Sequence, residues 1–370
     1  MRKYNIALLP GDGVGPEVTK EAEKVLRSVQ QVVGGFEFDF QEYYVGNKRY
    51  LEFGEVLPEQ TFQDCKAADA ILMGAIGLPK AGMKPVTDKS GTEVTGHLMF
   101  KLRFDLELFA GVRPIKSFPG VPSALCGKDR KIDMIILRES TEGLFSSYGG
   151  GGVVNDVCAY DTQIITRMGT ERVSRYAFEL AKGRQGRPAD GRKLVTCTHK
   201  GNVFRSFAYM TKVFNEIAEE YKDEVSSETT MIDAITLLMT QYPENYDVIV
   251  AENAHGDIIS DMAAAYVGGM GMAPSGDIGY EHGLFQPSHG SGPSIAGKGI
   301  ANPTATILSG KMMLEWLGRK NDDPALLDAA RRIDQAVYDT FMDGVRTADV
   351  SGTASTADFG AAVIRNLEKH

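Results

Sequence analysis

Short apolar or β-branched runs alternate with amphipathic helical stretches along most of this chain, a pattern that restricts it to an α/β protein with a largely parallel sheet. Strand-length runs fall at residues 5–9, 70–73, 134–137, 193–198 and 247–251, each bounded by glycine, proline or charged residues. Helices with recognisable starts lie between them. Pro16 and Glu17 open one, since proline in the first turn loses no needed donor and glutamate suits the positive end. Val18, Ala22, Val25 and Leu26 give it an apolar face. Another begins at Asn321-Asp322-Asp323-Pro324, followed by Leu326, Leu327, Ala330 and Ile333 at helical spacing. At 370 residues the chain is long enough for two domains, each with a core of its own.

Forty basic residues against 49 acidic ones give a formal charge of −9, which provides no basic footprint for nucleic acid or an anionic membrane. No run approaches the roughly 18 apolar residues of a membrane span, and the apolar stretch near the N-terminus is too short for a signal sequence. Cys65, Cys126, Cys158 and Cys197 lie at least 30 residues apart, unlike the close pairs of zinc or redox sites. These features predict a cytoplasmic protein of enzyme size in a reducing compartment. The four glycines at 149–152, after Tyr148, predict a mobile or sharply bent loop or a hairpin arm.

Several stretches carry side chains suited to chemistry. Gly11-Asp12-Gly13-Val14-Gly15-Pro16 joins a strand to a helix, where glycine lets a ligand approach the backbone and the helix start is electropositive. Its spacing is not the G-x-G-x-x-G of a dinucleotide fold, so a Rossmann domain is excluded; a tight turn without a ligand accounts for it equally. Arg103 sits beside the apolar helical stripe Leu98, Leu102, Leu106 and Phe109, four residues from Met99 on the same side. Arg113 follows that helix, and Arg138 ends the run 134–137. Guanidinium forks near a strand end suit carboxylates, with ordinary ion pairs to Glu107 or Glu139 as the alternative.

Asp233 and the segment Asn253-Ala254-His255-Gly256-Asp257-Ile258-Ile259-Ser260-Asp261 supply carboxylates. Asp257 and Asp261, four residues apart, project about 40° from each other on a helix. Two carboxylates on one face repel unless a cation lies between them, and hard oxygen ligands favour Mg²⁺ or Mn²⁺. A solvated acidic face is the competing reading, against which Ile258, Ile259 and Ala263 to Ala265 are expected to be buried. Lys200 ends another strand, where a partly desolvated lysine beside carboxylates serves as a proton relay. The turn-rich stretch 287–303, ahead of an apolar helix at 305–317, has the length of a functional loop. His289 within it is either a backbone-satisfied core histidine or a ligand contact.

In this order the stretches resemble the β-decarboxylating dehydrogenases, the family of isopropylmalate, isocitrate, homoisocitrate and tartrate dehydrogenases, over essentially the whole chain. LLPGDGVGPEV is similar to the family's opening loop, LRFDLELFAGVRP to its two-arginine segment and LRESTEGLF to its third-arginine segment. HKGNV resembles its lysine segment, NAHGDIISD its metal-aspartate segment and HGSGPSIAGKGIANP its cofactor loop. The resemblance implies an α/β, two-domain isopropylmalate-dehydrogenase-like fold with a shared sheet, the first domain built from residues 1–108 and 268–370 and the second from 109–267. It implies that Arg103, Arg113 and Arg138 hold the carboxylates of a small dicarboxylic acid, with Met99 and His97 toward its substituent. Asp233, Asp257 and Asp261 would bind Mg²⁺ or Mn²⁺, and Lys200 with Asp233 would move the proton. His289, Gly290, Ser291, Ser294, Ile295 and Asn302 would embrace the adenosine half of NAD. Lys200 and Asp233 would enter from the second subunit of a homodimer with shared active sites, and the stretch near Gly149 would belong to its dimer-forming arm.

Three departures matter. The family usually has a tyrosine seven residues after the third arginine, as the acid that follows decarboxylation; here Phe145 stands there, so Tyr148 or water substitutes, or the reaction stops at oxidation, or decarboxylation is slow. Ser294 replaces the aspartate with which NAD-using relatives hold the ribose hydroxyls, yet Ile295 lacks the NADP pattern. NAD is therefore the expectation, with NADP as the alternative. Met99 favours an alkyl substituent and His97 a polar or anionic one. The expected function is oxidation, with decarboxylation, of a malate-type 2-hydroxy acid, 3-isopropylmalate-like substrates first and tartrate, homoisocitrate and isocitrate as alternatives. A non-catalytic, regulatory or ligand-binding relative is the contrasting reading; Phe145 favours it, and the presence of Lys200, Asp233, Asp257 and Asp261 argues against it.

Overall fold

The first run does form a strand, Arg2–Gly11, in which Ile6, Ala7, Leu8 and Leu9 are buried. A computed structural model describes residues 2–78, 84–125 and 130–369; Cys126 lies outside them. The chain divides into two compact units, one of Met1–Glu107, Phe118–Pro122 and Gly268–His370, the other of Leu108–Ser117 and Ser123–Val267.

In the first unit five strands lie in the order Phe36–Glu42, Arg2–Gly11, Ala70–Ala75, Gly283–Pro287 and Pro274–Ile278. The first four run parallel and the last antiparallel. Gly15–Val33 buries Val18, Ala22, Val25 and Leu26, the face expected from its spacing. Thr304–Lys320 and Pro324–Met342 are the helices expected after the long loop and after Asp323, whose carboxylate accepts from the Ala325 amide as an N-cap.

In the second unit the order is Ala110–Lys116, Asp133–Glu139, Val248–Ala251, Leu194–His199 and Ser226–Met231, antiparallel for the first pair and parallel thereafter. Ile136, Ile249, Ile259 and Ala263 form part of one buried cluster in which the sheet meets the helix Asn253–Ala264. Each fully buried isoleucine contributes about 1.5–3 kcal/mol relative to exposure.

The strands are largely parallel, as expected; Pro274–Ile278 runs antiparallel to Gly283–Pro287 because only a short turn joins them, and Ala110–Lys116 runs antiparallel to Asp133–Glu139. Two expectations need correction. The helix bearing Arg103 is Val94–Asp105; Glu107 takes φ 51°, so Leu106 and Phe109 are buried by a turn rather than by a continuing helix. Arg113, expected after that helix, lies within the strand Ala110–Lys116 that follows it. Ile258 and Ala265, expected buried, are exposed, Ile258 at 68%, because they fall on the side of their helix away from Ile259 and Ala263. The stretch after Tyr148 is a hairpin of Gly152–Val154 and Cys158–Tyr160, turned through Asn155 and Asp156, both at positive φ. Val153, Val157 and Tyr160 on it are exposed. Among the described residues no helix is long and apolar enough to cross a membrane.

Candidate active site

Strand register brings the second unit's functional residues to one edge. Ala251 is level with Arg138 on one side and with Thr198 on the other, and Thr198 with Thr230. Arg138, Asn253, Lys200 and Asp233 therefore all leave the carboxyl ends of four adjacent parallel strands, where α/β proteins bind ligands.

Arg113, Arg138, Asp257 and Asp261 meet there. Arg113 Nη2 lies 3.3 Å from Asp257 Oδ1 and its Nη1 3.3 Å from Asp261 Oδ1, while Nη1 also donates to Ser260 Oγ at 2.8 Å. Arg138 Nη1 pairs with the same Asp257 oxygen. Both arginines are buried, whereas the two aspartates keep about half of their side chains exposed. The cations are thus fixed from beneath and the carboxylates face outward. Burial raises the Asp261 carboxyl above its ordinary value, with neighbouring Asp257 adding to the rise and Arg113 opposing it. Gly256 makes the arrangement possible, because a Cβ there would stand 2.8 Å from Arg138 Cβ.

The helix Asn253–Ala264 starts where it does because the Glu252 carboxylate accepts from the His255 amide. Asn253 is wholly buried; its Oδ1 accepts from Arg138 Nε at 2.8 Å and its Nδ2 donates to the Glu142 carbonyl at 2.9 Å. This positioning residue and Ser260 were not singled out from sequence, although both stand in the quoted aspartate segment. Glu139, one proposed ion-pair partner of the arginines, pairs with Arg172 instead, at 3.3 Å. Phe145 lays its ring against Arg138, with the guanidinium carbon 4.9 Å from the ring centroid.

Lys200 Nζ and Asp233 Oδ1 are 2.8 Å apart, and this bond holds the Asp233 carboxyl below its usual range. Among the described residues no group of three acidic, histidine or cysteine side chains is placed to hold a metal, so Asp233 does not join Asp257 and Asp261 within one chain. Asp257 and Asp261 alone offer hard oxygen donors, partly open to solvent. That donor set suits Mg²⁺ or Mn²⁺, which keep several waters.

The remaining expected residues belong to the first unit. Arg103 is buried with Asp277, its Nε and Nη2 lying 3.2 and 3.1 Å from Asp277 Oδ2, a partner that the sequence did not indicate. On the same helix His97 Nε2 is 3.3 Å from Asp88, and Met99 is half-buried. In the long loop Ser291 is buried and its hydroxyl donates to the Gly77 carbonyl, while Gly290 and Ser294 are exposed and Ile295 is half-buried. Asn302 is buried, donating to Asp349 at 3.1 Å and accepting from the Thr304 amide at 3.0 Å. His289 Nδ1 is 2.9 Å from the Gly290 carbonyl, and desolvation holds this imidazole below its ordinary pKa.

Comparison with known proteins agrees over the full length. The family model described as isocitrate/isopropylmalate dehydrogenase matches residues 5–363. The 3-isopropylmalate dehydrogenase of Corynebacterium kroppenstedtii is 41% identical, with 98% of this chain and 99% of that protein covered. The 3-isopropylmalate/3-methylmalate dehydrogenase of Methanocaldococcus jannaschii is 37% identical, with 99% of each covered. Among solved structures, isocitrate dehydrogenase from Methylococcus capsulatus superposes with a TM-score of 0.83 at 34% identity, covering 99% of both chains. The chain therefore belongs to the isocitrate/isopropylmalate dehydrogenase family and is an oxidoreductase acting on the CH–OH group of a malate-type hydroxy acid.

Proposed function

We propose that the protein oxidises and decarboxylates a 3-alkylmalate of the 3-isopropylmalate kind, using NAD and Mg²⁺ or Mn²⁺, as a homodimer in a reducing compartment. The observation that carries this reading is the convergence of Arg113 and Arg138 on Asp257 and Asp261. It sets forks for an acid's carboxylate directly beside oxygens for a divalent cation. His97 already faces the anionic Asp88, which disfavours a further carboxylate at the substituent and leaves Met99 as an alkyl contact. The relatives named for 3-isopropylmalate support the same choice.

When bound, a divalent cation supplies Lewis acidity and nicotinamide supplies a hydride acceptor. The arginines bind and orient the acid. The Lys200–Asp233 pair takes the hydroxyl proton on the lysine nitrogen once that nitrogen has released its own proton to water, and Asp233 stabilises the charge that Lys200 regains. Phe145 has no proton to give, so the carbon freed by loss of carbon dioxide takes one from Tyr148 or water. The relay is assigned to a second copy, with the apolar hairpin at Val153, Val157 and Tyr160 as its contact arm. Among the described residues Cys65, Cys158 and Cys197 are free, which accords with a reducing compartment.

A panel of 3-isopropylmalate, 3-methylmalate, tartrate and isocitrate, each with NAD or NADP and Mn²⁺, tests the reading through absorbance of the reduced cofactor. The highest kcat/KM is expected with NAD and an alkylmalate. A preference for isocitrate overturns the substrate, and absence of turnover with every pair overturns the catalytic reading.

A further inference from the structure

We propose that Glu17 is a positioning residue for the cofactor, acting as an internal anion that holds the loop between Ser291 and Ala301 in its binding shape. The proposal rests on the reading of that loop as the adenosine site. Glu17 stands in the first turn of Gly15–Val33, where negative charge is favoured. Both of its oxygens are used: Oε1 accepts from the Gly297 amide, and Oε2 from the Gly299 amide at 2.9 Å. Gly297 and Gly299 have φ of 75° and 65°, a backbone that turns two nearby amides onto one anion.

Two other contacts tie the same loop to the same turn. The Val14 amide donates to the Ser291 carbonyl at 2.8 Å, and the Val14 side chain packs with Ile295, Ala296 and Ala301. On the far side the Thr356 amide donates to the Gly299 carbonyl at 2.9 Å. Val14 fixes the front of the loop and Thr356 its end. Glu17 holds the Gly297 and Gly299 amides of the bend, while the Lys298 amide between them donates to the Ile295 carbonyl at 3.2 Å; without the carboxylate, the glycines give this segment the widest conformational choice. A loop ordered before the ligand arrives spares the ligand that ordering cost, so Glu17 acts on affinity for the nucleotide and leaves the acid's arginines untouched.

The test uses the full chain and two variants. Glu17→Gln keeps size but points an amide donor at a backbone donor; Glu17→Asp keeps the charge at the helix start but is too short to reach both amides. The dissociation constant for NADH is read by energy transfer from the single tryptophan, Trp316, and loop order by hydrogen exchange of peptides spanning residues 290–302. Both variants should bind NADH about tenfold more weakly and exchange this loop faster, with the KM for the acid and the thermal midpoint little changed. If wild-type protein binds NADH and both variants bind it equally well, the proposal is overturned while the loop reading stands. If wild-type protein binds neither NADH nor NADPH, the loop reading falls and takes the proposal with it.

Discussion

Arg138 Nε donates to Asn253 Oδ1 at 2.8 Å with both side chains buried. The bond aims a cation, proposed above to bind the acid, from a strand end using the first residue of the neighbouring helix. Asn253→Ala leaves that N–H and the Glu142 carbonyl without their partner, each a loss of about 1–3 kcal/mol if water does not enter. The expected result is a rise in KM for the acid of about tenfold or more with a smaller change in kcat. Steady-state kinetics beside thermal unfolding would show it; an unchanged KM would remove Asn253 from its positioning role.

The relay and the cation carboxylates are assigned to different subunits, which complementation can test. Lys200→Ala and Asp257→Asn chains should each be inactive alone. Unfolded and refolded together, they should regain on the order of a quarter of wild-type activity, since about half of random dimers are mixed and each mixed dimer has one intact site. Failure to regain activity, with mixed dimers shown by mass, would place both residues in one chain's site.

The Arg103–Asp277 pair is nearly wholly buried, so removing one partner strands the other's charge. Asp277→Ala should destabilise the protein by about 3–5 kcal/mol, read from the shift in urea midpoint at constant slope. Asp277→Asn, which can still accept from Arg103, should cost less.

Phe145→Tyr places a hydroxyl beyond the ring that lies on Arg138. If proton return after decarboxylation limits the rate, the variant should release carbon dioxide faster per reduced cofactor formed. Parallel assay of the two products checks this, and an unaltered ratio and rate would assign the proton to another donor.

Burial holds His199, His282 and His289 below the ordinary 6.5. Each is therefore neutral in the folded chain where the unfolded chain takes up a proton. Their contribution is complete above about 6.5 and is lost as pH falls through the lower folded values. Thermal midpoints should drop between about pH 7 and pH 5.5, and His282→Gln should flatten part of that slope. A midpoint rising over the same interval would contradict the assignment.

Much of the second unit's site could be read from the chain because its residues sit just past strands with strong apolar runs. Arg138, Lys200 and the aspartate segment each follow such a run, and parallel register carries them to the same edge. Asp277 was illegible because its partnership with Arg103 spans 174 residues and leaves no local pattern. Asn253 stood in view, but an amide shows its value only when both of its ends are seen occupied. The strand around Arg113 was hidden by Pro114, which normally argues against an inner strand position. The helix end at Asp105 was hidden by apolar residues that continue past the turn at Glu107.

The contact between Gly256 and Arg138 sets a gauge. One unit of backbone rests directly on the stem of a guanidinium side chain, with the space of a hydrogen atom and no more between the helix that offers anions and the strand that offers cations. Charges along that helix can be exchanged one at a time, but the separation of the two rows cannot be retuned by adding even a methyl group. Divergence in what this edge of the sheet admits must therefore be written into other side chains around it.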